Sequence, residues 1–146
     1  MSNPYRAAEE FMQDFRSAEC ALKRSGFRRI GREVAEADWD LFAQYLGGPF
    51  FKQIVDTGIA KTLIGAPPRR LLADMTWSPE HPIPLSNIAQ LMINGVCRVR
   101  NSYIHGEKFT GGPDGQFERD TTLILEAHAV LKAAMLYRET AGKQAG

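Results

Sequence analysis

The chain has 146 residues, the length of a single domain, and 44% apolar content is enough for a core without disulfide or metal staples. A net charge of +1 excludes whole-molecule attraction to nucleic acid, so any surface for such a partner has to be local. Cys20 and Cys97 stand far apart, each within a helical pattern, and no disulfide framework is expected.

The opening MSNPYRAAEEFMQDF lacks a charged-then-apolar leader, and no apolar run approaches the roughly 18 residues that cross a bilayer. The expected setting is the cytoplasm, with no membrane partner. A first helix is expected over residues 4–25, with Pro4 in its first turn and Gly26 just past its end. Phe11, Phe15, Ala18 and Leu22 form its apolar stripe, widened by Tyr5, Ala8 and Met12. Glu19 lies at the stripe's margin. It reads either as an interface carboxylate with a wet head or as a partner for a cationic site elsewhere in the bundle.

The turn KRSGFRRIGRE holds Lys23, Arg24, Arg28, Arg29 and Arg32 around Phe27. Such a run is either a solvated connection or a phosphate-binding rim. Residues 37–46 read as a short helix with Trp39, Phe42, Ala43 and Leu46 on one side, stopped by Gly47-Gly48-Pro49. A third helix is expected over 50–64. Gly58 inside it would cost about 1 kcal/mol relative to Ala, so a close helix contact or a bend is expected there.

Residues 65–85 contain Pro67, Pro68, Pro79, Pro82 and Pro84 and read as a loop, Pro-rich from residue 67, with at most one turn at 69–75. Trp77 in this loop reads as a packing anchor or as a stacking surface for substrate. The segment 86–108, SNIAQLMINGVCRVRNSYIHGEK, reads as one long helix stopping at Gly106. After the glycine-rich turn KFTGGPDGQ, Asp114 is the expected N-cap of a last helix over 116–140. Its stripe is Phe117, Thr121, Ile124 or Leu125, His128, Leu131 and Met135, and the tail 141–146 is expected to fray. No stretch alternates long enough to read as a strand. The expectation is an all-α antiparallel bundle of four to five helices in one domain, 1–146.

Within 86–108, α-helical geometry puts Met92, Val96, Val99 and Tyr103 on one face and Asn94, Arg98, Asn101 and His105 on the other. Two amides, an arginine and a histidine in line suit recognition of phosphate or bases better than plain solvation does. With twelve arginines and three histidines, chance alone predicts roughly zero to one Arg-x4–6-His match. Arg98 and Arg100 both give one with His105, so the bare spacing is weak evidence and its surroundings have to carry the reading.

Those surroundings, VCRVRNSYIHGEKF, resemble the signature segment of the HEPN superfamily, the "higher eukaryotes and prokaryotes nucleotide-binding" helical domains. That pattern is Arg, a polar residue, three residues, then His, often with Gly after it. Here it is Arg100, Asn101, Ser102-Tyr103-Ile104, His105 and Gly106. FRSAECALKRSG is similar to the first helix of such domains, and FERDTTLILEAHAVLKAAM to the last. Residues 47–85 match only loosely.

The resemblance implies an all-α bundle dimerising through the motif helix, with two motifs forming one composite ribonuclease site that needs neither metal nor cofactor. By it, the catalytic residues are Arg100, on the scissile phosphate, and His105, as general acid or base. Asn101 orients the imidazole or bonds RNA. From the helix face they share, and not from the family pattern, Arg98 and Asn94 are expected to support RNA binding. Helical alignment alone pairs Arg98 with His105, whereas the family pattern points to Arg100. Implied partners are RNA, a second copy, and a cognate antitoxin protein such as a nucleotidyltransferase, in a toxin–antitoxin or phage-defence setting. Some toxin members carry a tyrosine two positions after the histidine that such a partner modifies; here Glu107 stands there. The bare residues leave two other readings open: a non-catalytic helical module binding a nucleotide or a protein, and a dimer whose polar stripe is a wet interface.

Overall fold

The computed structural model describes residues 4–104 and 114–145, with side chains other than those of residues 4, 71, 103, 104, 114–119 and 140–145. The stripe Phe11, Phe15, Ala18 and Leu22 forms as expected on helix α1, Pro4–Arg24, and all four side chains are buried. Phe15 packs edge-on to Phe11 at 5.9 Å and stacks on Trp39 at 4.9 Å, which joins α1 to α2, Trp39–Thr57.

Helix α2 opens at Asp38, whose carboxylate accepts the Leu41 N–H at 3.0 Å. Gly47 interrupts it with φ 73°, ψ 179°, and Pro49 restarts the helical turn, so the break expected at Gly47-Gly48-Pro49 is present. The third helix expected over 50–64 does not run through. It ends at Thr57 because Gly58 caps it in the left-handed region, φ 71°, with its N–H on the Val55 carbonyl. No atom crowds Gly58, so its backbone conformation, and not a close helix contact, accounts for glycine there. A separate short helix, α3, Lys61–Gly65, follows. It lacks a side-chain cap of its own; Glu126 from the last helix accepts the Leu63 N–H at 2.8 Å instead.

The proline-rich segment contains a small hairpin that sequence alternation could not reveal. Strands β1, Arg70–Leu71, and β2, Trp77–Ser78, pair antiparallel around a turn in which Asp74 accepts the Thr76 N–H at 3.0 Å. Arg69 ties the loop together. Its Nη1 donates to the Glu80 carbonyl at 2.6 Å, and its guanidinium sits 5.8 Å over the Trp77 ring.

Helix α4 occupies 88–104. It is α-helical at Ile88–Gln90, π-helical at Leu91–Cys97 and α-helical again at Arg98–Ile104. Asn87 caps it by accepting the Gln90 N–H at 2.8 Å, and Gln90 Oε1 reaches back to the Ser86 N–H at 2.8 Å, a capping-box arrangement shifted by one residue. Leu91, Met92, Val96 and Val99 enter the core. Gly95 is buried where a Cβ would stand 3.3 Å from Leu85 Cδ1 and 3.4 Å from Leu63 Cγ, so α4 packs closely here and a side chain would require Leu63 and Leu85 to give by a few tenths of an ångström. The stop expected at Gly106 and the turn after it lie outside the described residues.

The last helix, α5, Asp114–Ala145, starts earlier than expected, and the expected fraying from residue 141 gives way to helix through Ala145. The side chain expected to cap it, that of Asp114, lies outside those described. Ile124 and not Leu125 takes the stripe position. Asp14 meets His128 and Ser25 meets Arg138, so α1 and α5 lie side by side in the same direction. The expected antiparallel arrangement therefore does not hold for this pair. The long connections after α1 and before α4 carry the chain back across the bundle. The result is an all-α arrangement of five helices packed against one another, with the two-residue strands confined to a loop.

Replacing Gly95 by Val should cost roughly 1–3 kcal/mol of unfolding free energy through crowding against Leu63 and Leu85, read from urea midpoints. Glu126→Ala should cost about 0.5–2 kcal/mol by leaving the Leu63 N–H uncapped, and Glu126→Gln less, because its amide oxygen still accepts.

Candidate functional site

The side chains of interest hang on the second half of α4, and the π-helical stretch sets their direction. Hydrogen bonding from i to i+5 adds residues to each turn, so successive side chains rotate less than in an α-helix. Residues four apart in 91–97 therefore stack more nearly in line. Arg98 Nη2 donates to Asn94 Oδ1 at 3.4 Å across such a step.

Beyond Cys97 the α-helix resumes. Val99 and Ser102 face the core, Arg98 and Arg100 are half-buried, and Asn101 is exposed. Arg100 lies against α1. Its guanidinium carbon sits 4.7 Å over the Phe15 ring, and its Nη2 stands 3.5 Å from Glu19 Oε2. Glu19 follows Phe15 by one helical turn, so one face of α1 supplies both the aromatic surface and the carboxylate. Glu19 is half-buried at the helix interface, and its carboxylate pairs with a cation of α4. The buried Nε of Arg100 has no hydrogen-bond partner among the described residues.

A cavity of about 450 Å³ opens at this point. Its charged lining comprises Lys23, Arg29, Arg98 and Arg100 against Glu19 and Glu36, with Asn101 beside them. The turn after α1 places Lys23 and Arg29 there. That turn folds back on itself, with the Arg29 N–H on the Glu36 carbonyl at 3.0 Å and the Asp38 N–H on the Phe27 carbonyl at 2.9 Å. Arg29 also stands 3.8 Å from Asp40, and Arg32 pairs with Glu36 at 3.4 Å. Two cationic segments far apart in sequence thus converge on one hollow, and positive groups outnumber negative ones in it although the whole chain is nearly neutral.

Arg98 lines this cavity and also a second hollow of about 220 Å³ under the proline-rich loop, where Asn94 lies. Burial lowers the Arg98 guanidinium pKa, and nearby Arg70 pushes the same way. Burial pushes the Cys97 thiol, also in the 450 Å³ cavity, up to about 12 against the pull of Arg100. A thiol so raised stays protonated at neutral pH and offers no thiolate nucleophile.

Of the sequence-derived candidates, Arg100, Asn101 and Arg98 meet at the larger cavity, and Asn94 lies on the far side of Arg98. His105, Gly106 and Glu107 lie outside the described residues. Arg100 is paired with Glu19, whereas Arg98 bonds only the Asn94 amide oxygen among the described residues. His81 is exposed in the loop, and Trp77 is partly covered by Arg69. His128 is buried, with Nε2 2.6 Å from Asp14 Oδ2 and its ring 5.8 Å from Phe11, which ties α5 to α1. This pairing went unread in the sequence, because 114 positions separate its members. Among the described residues there is no group of three or more metal-ligating side chains, and no helix long and apolar enough to cross a membrane.

Comparison of the chain with protein-family models, with curated proteins and with solved structures finds no match in any of the three. What the geometry itself defines is an all-α domain with a cation-rich cavity between its first helix, the turn after it and its fourth helix.

The Cys97 shift sets an alkaline limit on stability. Above pH 9 the unfolded chain releases the thiol proton while the folded chain keeps it, so stability falls as pH rises from about 9 toward 12. Wild type should lose up to about 1.4 kcal/mol per pH unit more than Cys97→Ala over that window, measured by urea unfolding at several pH values.

Proposed function

We propose that this chain is a metal-independent endoribonuclease of the HEPN type. In this reading it dimerises through α4, so that two copies of the Arg100-Asn101…His105 motif face each other and share one site. The observation that supports it most is the convergence of Lys23, Arg29, Arg98 and Arg100 on one open cavity, beside the polar side chain of Asn101. A cluster of that sign and size suits a phosphodiester, and RNA carries its own nucleophile in the 2′-hydroxyl.

The chemistry is a transesterification. The 2′-oxygen attacks the adjacent phosphorus, the bond from phosphorus to the 5′-oxygen breaks, and a 2′,3′-cyclic phosphate and a 5′-hydroxyl result. One proton leaves the 2′-hydroxyl and one goes to the departing oxygen. His105, with an imidazole titrating near neutrality when unperturbed, carries one of these transfers in each protomer. Arg100 holds the phosphate oxygens as charge develops on them, and Arg98 and Asn94 position the strand. Phe15 stiffens Arg100 from beneath, while Glu19 holds it until a phosphate competes for it. A role as the toxin of a toxin–antitoxin or phage-defence pair, with a cognate antitoxin protein as partner, follows from the same reading.

The Glu19–Arg100 pair favours one alternative: a non-catalytic module that binds a nucleotide or a protein, in which Arg100 is a structural cation. The two readings separate on the product. Purified protein incubated with RNA in EDTA should release fragments ending in cyclic phosphate. His105→Ala should slow this about 10²–10⁴-fold and Arg100→Ala about 10²–10³-fold. A wild-type dimer that binds RNA yet leaves it intact, and that is as harmless on induced expression as His105→Ala, would sink the enzyme reading and leave the binding module.

A further inference from the structure

We propose that the 220 Å³ hollow between the proline-rich loop and α4 is a nucleobase subsite selecting keto bases, guanine or uracil, through the amide NH2 groups of Gln90 and Asn94. This deepens the ribonuclease reading and rests on its premise that the ligand is a nucleotide. Three observations carry it.

The first is continuity. Arg98 lines both hollows, so a phosphate held by Arg98 in the larger cavity has its attached nucleoside at the mouth of the smaller one. Arg98 has no carboxylate partner among the described residues, unlike Arg100 and Arg29. A half-buried cation without a counter-charge is a ready anion contact.

The second is shape. Pro67, Pro79, Pro82 and Pro84 border the hollow with rigid, apolar rings. Arg69 fixes their placement through the Glu80 and Pro79 carbonyls, at 2.6 and 3.5 Å, and the β1–β2 pair closes the loop behind them. A planar base fits between such rings, with its edge toward α4.

The third is polarity. Asn94 Oδ1 accepts from Arg98, which can only donate, and Gln90 Oε1 accepts from the Ser86 N–H and hydroxyl. These bonds fix which end of each amide is which. Both oxygens are occupied within the chain, and both NH2 groups remain as donors with no acceptor among the described residues. Two donors four positions apart on one helix face match a base edge that accepts. Guanine offers O6 and N7 and uracil offers O4, whereas adenine and cytosine present an amino donor at the corresponding place.

Calorimetric titration of the full-length protein with GMP, UMP, AMP and CMP in EDTA tests this. GMP and UMP should bind at least about tenfold more tightly than AMP and CMP. Asn94→Asp keeps the oxygen that Arg98 uses and replaces the NH2 donor by an acceptor of the same shape, so the ranking should flatten or invert in favour of AMP and CMP. The added charge weakens all four ligands together, which is why the ranking is the readout. Gln90→Glu makes the same exchange at the neighbouring position and serves if Asn94→Asp does not fold. Equal affinities in wild type, a ranking unchanged in both variants, or no nucleotide binding at all would overturn the subsite. The catalytic reading is judged separately, by cyclic-phosphate release. Cleavage with no base ranking would remove the subsite alone, and a base ranking without cleavage would remove the enzyme alone.

Discussion

The packing of Phe15 is the contact on which the rest of this molecule depends. Its ring is buried, meets Phe11 on its own helix, stacks on Trp39 of α2, and carries the Arg100 guanidinium of α4 on its face. Three helices are therefore registered against one side chain. The ring buries a large apolar area, and its face offers negative potential to a cation, so one residue serves both core and site. With Phe15 in place, Glu19 one turn later has to fall beside Arg100, and Lys23 one turn further has to reach the cavity rim.

The electrostatics of the cavity follow from where the turn after α1 is sent. Lys23 and Arg29 would scatter their charge into solvent if that turn were loose. The hydrogen bonds from Arg29 to Glu36 and from Asp38 to Phe27 fold it back instead, and the charges gather opposite Arg98 and Arg100. Glu19 and Glu36 offset part of this field, which lowers the cost of holding four cations near one another. A nearly neutral chain can thus carry a hollow in which cations outnumber carboxylates.

The π-helical stretch in α4 and Gly95 within it act together. The wider turn shifts the register of the side chains that follow, and the missing side chain lets the helix press onto Leu63 and Leu85. That close approach holds the proline-rich loop near α4, so that the half-buried Asn94 and Arg98 line one hollow with its prolines. A regular α-helix would have presented the same residues at different angles. A residue larger than glycine would press on Leu63 and Leu85.

Local patterns were legible wherever the physics is local. The Phe11–Leu22 stripe, the break at Gly47-Gly48-Pro49, the buried face of Met92, Val96 and Val99, and the all-helical class all follow from periodicity and from glycine and proline chemistry. The candidate arginines and the marginal position of Glu19 were legible too, because an ionisable residue bordering an apolar stripe needs a partner or water. The sequence by itself could not name those partners. The pairing of Glu19 with Arg100, the capping of α3 by Glu126, the tie between Asp14 and His128, and the shared direction of α1 and α5 join residues tens of positions apart. No local propensity encodes such pairs; they exist only once the core has set the helices against each other. The choice between the two roles open to Gly58, a close contact or a bend, had to wait for the structure for a related reason, since a glycine that ends a helix and one that lets helices touch look alike in one dimension. Sequence alone therefore determined which cationic residues the chain carries on its first helix, the turn after it and its fourth helix, and tertiary packing decided that Lys23, Arg29, Arg98 and Arg100 converge on one cavity, because convergence depends on where Phe15 and Gly95 let the helices cross.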